Sequence, residues 1–142
     1  MAKFTLTDVT VVLNVGGTNY DLSDHLDSVT VEYKKEVPDS TGMGSGGFRQ
    51  RISGLKDWTM SLNFQQDFAA GSVDVAIYAG FMSDSNPTVT VKPKSSAVSA
   101  TNPSYSGSCV VPNYTPLSGK VGDVSMMQVS LEGSGILTRA TA

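Results

Sequence analysis

"GLKDWTMSLNFQQD", residues 54–67, decides the fold. Trp58, Met60, Leu62 and Phe64 occupy every second position, and Asp57, Thr59, Ser61, Asn63 and Gln65 fall between them. Successive side chains of a strand point to opposite faces, so this period of two predicts a strand with one apolar and one wet face. Working outward, Val9, Val11, Leu13 and Val15 alternate with Thr10, Val12 and Asn14 and stop at Gly16-Gly17. Val29, Val31 and Tyr33 alternate with Thr30, Glu32 and Lys34 in a second half-wet strand.

Beyond residue 67 the period changes. Ser72 is placed as an N-cap, Asp74 sits in the first turn, and Val73, Ala76, Ile77 and Phe81 fall at helical spacing until Asn86-Pro87. Its Gly80 makes this a modest helix. Thr88 to Lys92 is extended again, and a Ser/Ala/Thr loop covers Ser95 to Pro103. Alternation returns at Tyr105, Gly107, Cys109 and Val111, then at Met127, Val129 and Leu131. Turn signals from Pro116 to Gly122 predict that these last two strands pair as a hairpin. The expected fold is mainly β: a β-sandwich or partly closed barrel of six to seven strands, with one flanking α-helix and a long glycine-rich loop. So small a sheet leaves exposed edges, which invite pairing between identical copies in a closed ring.

The whole chain, 1–142, reads as one domain. One cysteine, Cys109, excludes an internal disulfide and any multi-cysteine metal site, and reads as a buried thiol. The start, MAKFTLTDV, lacks the apolar region of a signal peptide, and no run approaches the ~18 apolar residues of a membrane span. A net charge of −3 and a pI of about 4.9 argue against a protein that grips nucleic acid by its phosphates.

Sites for chemistry are sought and not found. Gly42, Gly44 and Gly47 spell a dinucleotide-loop pattern, but a strand follows them where a helix is required. Phe48 stands where a phosphate-binding loop needs Lys. His25, the one histidine, lies between Asp24 and Asp27 with Ser23 and Ser28 nearby; adjacent side chains seldom converge as a catalytic triad, and it reads as a turn residue. Asp21, Asp24 and Asp27 match a calcium loop poorly, since Leu26 replaces the required glycine and no Glu closes the site. Trp58 and Phe64 share the Met60 and Leu62 face, which speaks for core and against a sugar platform. The chain is read as a non-enzyme with no catalytic residue, cofactor or metal site.

The order of strand, glycine-rich loop, "GLKDWTMSLNFQQD", helix and late strands resembles the tail tube (major tail) proteins of long-tailed bacteriophages. The residues that carry the resemblance are Thr41 to Gly44 ahead of Arg49-Gln50-Arg51, then Gly54 to Trp58, Asp67, Asn102 to Gly107 and Gly135 to Arg139. It spans nearly the whole chain as a pattern of order and spacing. The chain is short for that family and shows no added surface domain. The resemblance implies a virion protein made and assembled in the host cytoplasm, whose hexameric rings stack into a tube for double-stranded DNA that passes without specific binding. It implies tape-measure, tail terminator and distal tail proteins as further partners. It makes residues 39–53 a projecting arm, with Ser40, Thr41, Gly42, Met43, Gly44, Phe48, Arg49 and Arg51 reaching the next ring. Alone, Asp39 to Gly47 is expected to lack a fixed conformation; docked, Met43 and Phe48 anchor it and the two arginines meet acids of the neighbour. The strands beside the arm are implied to line the channel through Glu32, Lys34, Asp57, Thr59, Ser61 and Asn63. The alternatives are a capsid decoration or surface spike protein and, from another class, a carbohydrate-binding module.

Overall fold

The computed structural model describes residues 3–142, so Met1 and Ala2 of the expected 1–142 unit lie outside the described residues. The strands are β1 (Thr10–Val15), β2 (Thr18–Asp21), β3 (Leu26–Lys35), β4 (Lys56–Gln65), β5 (Thr88–Lys92), β6 (Ser104–Val110), β7 (Met126–Gly133) and β8 (Thr138–Ala140). A 3-10 turn, Ser23–His25, precedes β3, and helix α1 (Val73–Met82) follows β4. The expected mainly β fold with one helix is what forms, with eight strands in place of six to seven. The two short strands, β2 and β8, carry no apolar alternation by which they announce themselves.

All pairings are antiparallel, in the order β2-β1-β5-β6-β7-β4-β3, with β8 added to β6. β6 makes the corner. Its Tyr105–Ser108 segment pairs with β5, while Cys109 and Val110 pair with Gly133 and Glu132 of β7. The sheet thus folds into two layers without closing into a barrel, and β3 and β2 remain as its ends. The expected late hairpin of β6 and β7 is present only as those two residue pairs, and residues 111–125 run outside the strands between them.

The core lies between the layers. Val11, Leu13, Val89 and Val91 meet Trp58, Met60, Leu62, Phe64, Met127, Val129 and Leu131 in one buried cluster. Register explains the match: Met60, Leu62 and Phe64 of β4 stand directly opposite Leu131, Val129 and Met127 of β7. Cross-strand neighbours share a face, so one alternating strand dictates the other. Val29, Val31 and Tyr33 oppose Leu62, Met60 and Trp58 on this same face, but β3 is an edge strand and they stay partly open.

Trp58 is the largest buried side chain, and backbone walls it in. A Cβ on Gly133 would come 2.4 Å from the indole, and one on Gly107 would meet its Cζ2 at 3.0 Å. The indole Nε1 donates to the Gly135 carbonyl at 3.1 Å, which satisfies its one polar atom.

Helix α1 buries Val73, Ala76, Ile77 and Gly80. Two expectations about it are corrected. Phe81 faces outward and stacks on Tyr114, because the inward stripe passes through Gly80, which packs against Val111. Ser72 holds the N-cap position, but its hydroxyl donates to Asp67 at 2.8 Å and caps no helix N–H. Asp67 organises this entry instead, accepting from the Ala69 N–H at 2.9 Å while its carbonyl accepts from Asp74 N–H at 3.2 Å.

Candidate functional site

The glycine-rich stretch is an arm built on the β3–β4 hairpin. Pairing continues past both strand ends: Glu36 N–H donates to Leu55 at 2.8 Å, Gly54 to Glu36 at 2.7 Å, Ile52 to Pro38 at 3.1 Å and Ser40 to Gln50 at 2.8 Å. Pro38 has no N–H and serves as an acceptor. At the end of this ladder the Thr41 hydroxyl accepts from Gln50 N–H at 2.8 Å, and Thr41 N–H donates to Asp39 at 2.8 Å. Hydrogen bonding to Asp39 from the Thr41 hydroxyl first and the Thr41 N–H second, and then from Arg49 at 3.1 Å, holds its carboxyl below the usual range. The expected absence of fixed conformation over Asp39 to Gly47 is therefore corrected at its base, where backbone pairing and an Asp39–Thr41 turn define it. The glycines cluster because the tip needs them. Gly44, Gly46 and Gly47 all have left-handed φ, from 69° to 86°, which a side chain rarely adopts. They turn the chain between Met43 and Phe48, and no helix follows to receive a phosphate.

Apolar and cationic side chains of the arm lie exposed. Met43 is fully exposed and Phe48 is 78% exposed, so neither finds packing within its own subunit. Within the single subunit Arg49 pairs with Asp39 at 3.1 Å. Arg51 has no carboxylate within 4.0 Å among the described residues.

The second surface is the outer face of β3, β4 and β7. Thr30, Glu32 and Lys34 stand opposite Ser61, Thr59 and Asp57. On the other side of β4, Thr59, Ser61 and Asn63 stand opposite Glu132, Ser130 and Gln128. All six residues expected to line a channel thus share one polar face, and β7 adds three more. Gln128, Ser130 and Glu132 were legible as the wet positions between Met127, Val129 and Leu131, but only the β4–β7 register places them here. Asn63 donates to Ser28 at 2.9 Å, and Lys34 approaches Glu32 at 3.8 Å. The face carries three carboxylates (Glu32, Asp57, Glu132) against one ammonium (Lys34), so it is mildly acidic.

Several polar groups away from these surfaces tie the fold together. His25 Nε2 lies 3.0 Å from Asp67, tying the turn before β3 to the helix entry. Ser23 goes to Asp21 and to Val11, and so does not converge with His25. Burial pushes the Cys109 thiol up to about 12, which leaves it inert as a nucleophile. Tyr114 donates to Asp74 in a short hydrogen bond and is held up to about 12, chiefly by that bond. Among the described residues no helix is long and apolar enough to cross a membrane.

No protein-family model matches the chain, and no curated protein matches it in sequence. Solved structures do. A chain in the tail of an empty gene transfer agent particle, refined helically with C6 symmetry, superposes with a TM-score of 0.75 at 16% identity, covering 95% of this chain and 96% of that one. A chain in the virion of the native gene transfer agent particle gives 0.71 at 12% identity, covering 92% and 95%. One in the six-fold symmetrised baseplate of the anti-feeding prophage gives 0.65 at 9% identity, covering 99% and 98%. Over almost its whole length this chain has the fold of chains found in the tail and virion of a gene transfer agent and in the baseplate of the anti-feeding prophage.

Proposed function

We propose that this chain is a structural virion protein, a tail tube subunit whose hexameric rings stack around a channel for double-stranded DNA. The observation that carries the reading is the end-to-end match to a chain in a tail of C6 symmetry. The surface chemistry supports it. β3 ends the sheet with unpaired backbone groups, and a ring of identical copies satisfies them.

The dimensions agree. If each of six copies contributes β6, β7, β4 and β3, about 24 strands at ~4.8 Å make a circumference of ~115 Å and a backbone diameter of ~37 Å. Side chains take about 5 Å from each wall, leaving a bore of ~27 Å, enough for a duplex. The polar face of Glu32, Lys34, Asp57, Thr59, Ser61 and Asn63 lines that bore, and its acidic balance lets DNA slide without being held. The arm, residues 39–53, extends to the next ring. The subunit performs no catalysis and takes no cofactor. It is assembled in the host cytoplasm into the virion tail, beside tape-measure, tail terminator and distal tail proteins.

Electron microscopy and native mass measurement of the purified protein test this. Six-fold rings or tubes are expected at high concentration. Compact trimers would replace the reading with a decoration or spike protein, and monomers that shift on glycans would replace it with a carbohydrate-binding module.

A further inference from the structure

Charge is spread unevenly along the chain. Residues 35–56, the arm and its root, hold four of the 10 cations and only two of the 13 acids, so a chain of net charge −3 carries a cationic projection. At the root, Lys35 stands directly opposite Lys56 in the β3–β4 register. Like charges that face each other across a ladder repel, and neither lysine has a carboxylate within 4.0 Å among the described residues. Further out, Arg51 stands opposite Asp39, but that carboxylate is taken by Arg49 at 3.1 Å. Three cations therefore wait for an anion that the subunit does not supply. Beyond them the arm turns apolar, with Met43 and Phe48 exposed on either side of the glycine turn.

We infer that the arm enters an anionic lipid surface, with Met43 and Phe48 reaching the acyl boundary and Lys35, Arg51 and Lys56 facing headgroup phosphates. The order of chemistry along the arm carries the assignment. A leaflet approached from water presents charge first and hydrocarbon beneath it, and the arm presents hydrocarbon at its tip and cations behind. A nucleic acid also offers phosphate, but it gives the Met43 side chain no apolar layer to enter. Lengths agree as well. Apolar groups of interfacial segments sit ~5–10 Å deep, and the ladder from Glu36 to Ser40 alone spans ~17 Å at ~3.4 Å per residue. The tip can submerge while the sheet stays in water and the root lysines remain within a screening length, ~8 Å, of the headgroups. The ladder also fixes the arm before contact, so little conformational entropy is lost on entry. Each subunit carries the whole site, and the inference does not depend on ring formation. In a stack, one terminal ring keeps its arms uncovered, and weak insertions repeated around it add as avidity.

Vesicle flotation tests this. Full chains, at a concentration too low for assembly, are mixed with vesicles of phosphatidylcholine alone or with added phosphatidylglycerol. Wild type should bind the anionic vesicles at least ~10-fold more tightly than the neutral ones, and high salt should erase the preference. Lys35→Gln and Lys56→Gln should each weaken anionic binding about fivefold, and Phe48→Ser and Met43→Ser should weaken it on both vesicles. All four positions are exposed, so melting should match wild type. Lys120→Gln, in the loop before β7 at the end away from the arm, should bind as wild type does. Equal binding to both vesicles, or lysine and Phe48 variants that bind normally, would overturn the inference. Duplex DNA bound as tightly as the anionic vesicles and indifferent to Phe48→Ser would also overturn it, by showing a plain polyanion site. A protein that forms rings at high concentration and binds no vesicle overturns this inference alone and leaves the ring reading intact.

Discussion

Gly133→Ala puts the packing around Trp58 to a quantitative test. An added Cβ would lie 2.4 Å from Cε2 and Nε1 of the indole and 2.6 Å from Cδ2. Carbon contacts settle near 3.5–4.0 Å, so the ring must retreat by ~1 Å. It has nowhere to go. A Cβ on Gly107 would already meet Cζ2 at 3.0 Å, so backbone stands close on that side, and the Nε1–Gly135 bond at 3.1 Å ties the ring in place. Overpacking of this kind costs about 1–3 kcal/mol, and a buried donor pulled from its acceptor about 1–3 kcal/mol more. A loss of about 2–6 kcal/mol translates into a fall of about 7–21 °C in Tm for a chain of this size. Trp58 is the one tryptophan, so its fluorescence reports the site directly. Melting at a concentration too low for assembly, followed by fluorescence and circular dichroism, is the assay. Ser134→Ala, at an exposed neighbouring position, should stay within about 0.5 kcal/mol of wild type. A Gly133→Ala protein that melts within 2 °C of wild type (roughly 0.5 kcal/mol) with unchanged emission would refute the argument.

Other consequences concern the surfaces. Replacing Glu32 and Asp57 together with Lys turns three carboxylates against one ammonium into one against three, and over ~8 Å screening lengths such charges act locally. Slower DNA ejection from assembled particles and new salt-sensitive DNA binding by free tubes are expected; unchanged behaviour in particles that assemble would mean this face does not line the channel. Deleting Ser40 to Gly46 removes the arm tip and no core residue, so melting should hold while ring stacking stops; a variant that still builds long tubes would remove the arm's role. Asp67 is held below the usual carboxylate value by the Ala69 N–H and the Ser72 hydroxyl first, with His25 a smaller cause. A depressed folded value means that its stabilisation is complete above about pH 4 and drains away as pH falls through the lower folded value. Asp67→Asn should therefore lower Tm at pH 7 and flatten its decline in acid, and parallel acid limbs for variant and wild type would contradict this.

How far the sequence speaks is clearest in β4. Trp58, Met60, Leu62 and Phe64 alternate without interruption, and the same alternation fixes which polar residues share the outer face. Period, burial and face follow from one local fact, the two-residue repeat of a strand. Helix α1 was legible in place, though it stops at Met82, short of Asn86-Pro87, and not in orientation: Gly80 turns inward and Phe81 outward because Val111 closes on the glycine, a contact made 31 positions along the chain. The arm was legible as a glycine-rich stretch between two strands. Its ladder was not, since the register beyond Lys35 and Lys56 is inherited from β3 and β4. Local pattern determines which residues prefer which face, because side-chain direction depends only on neighbouring backbone. Pairing order, the corner at β6 and the glycine seat of Trp58 depend on which distant segments meet, and only the tertiary structure decides that.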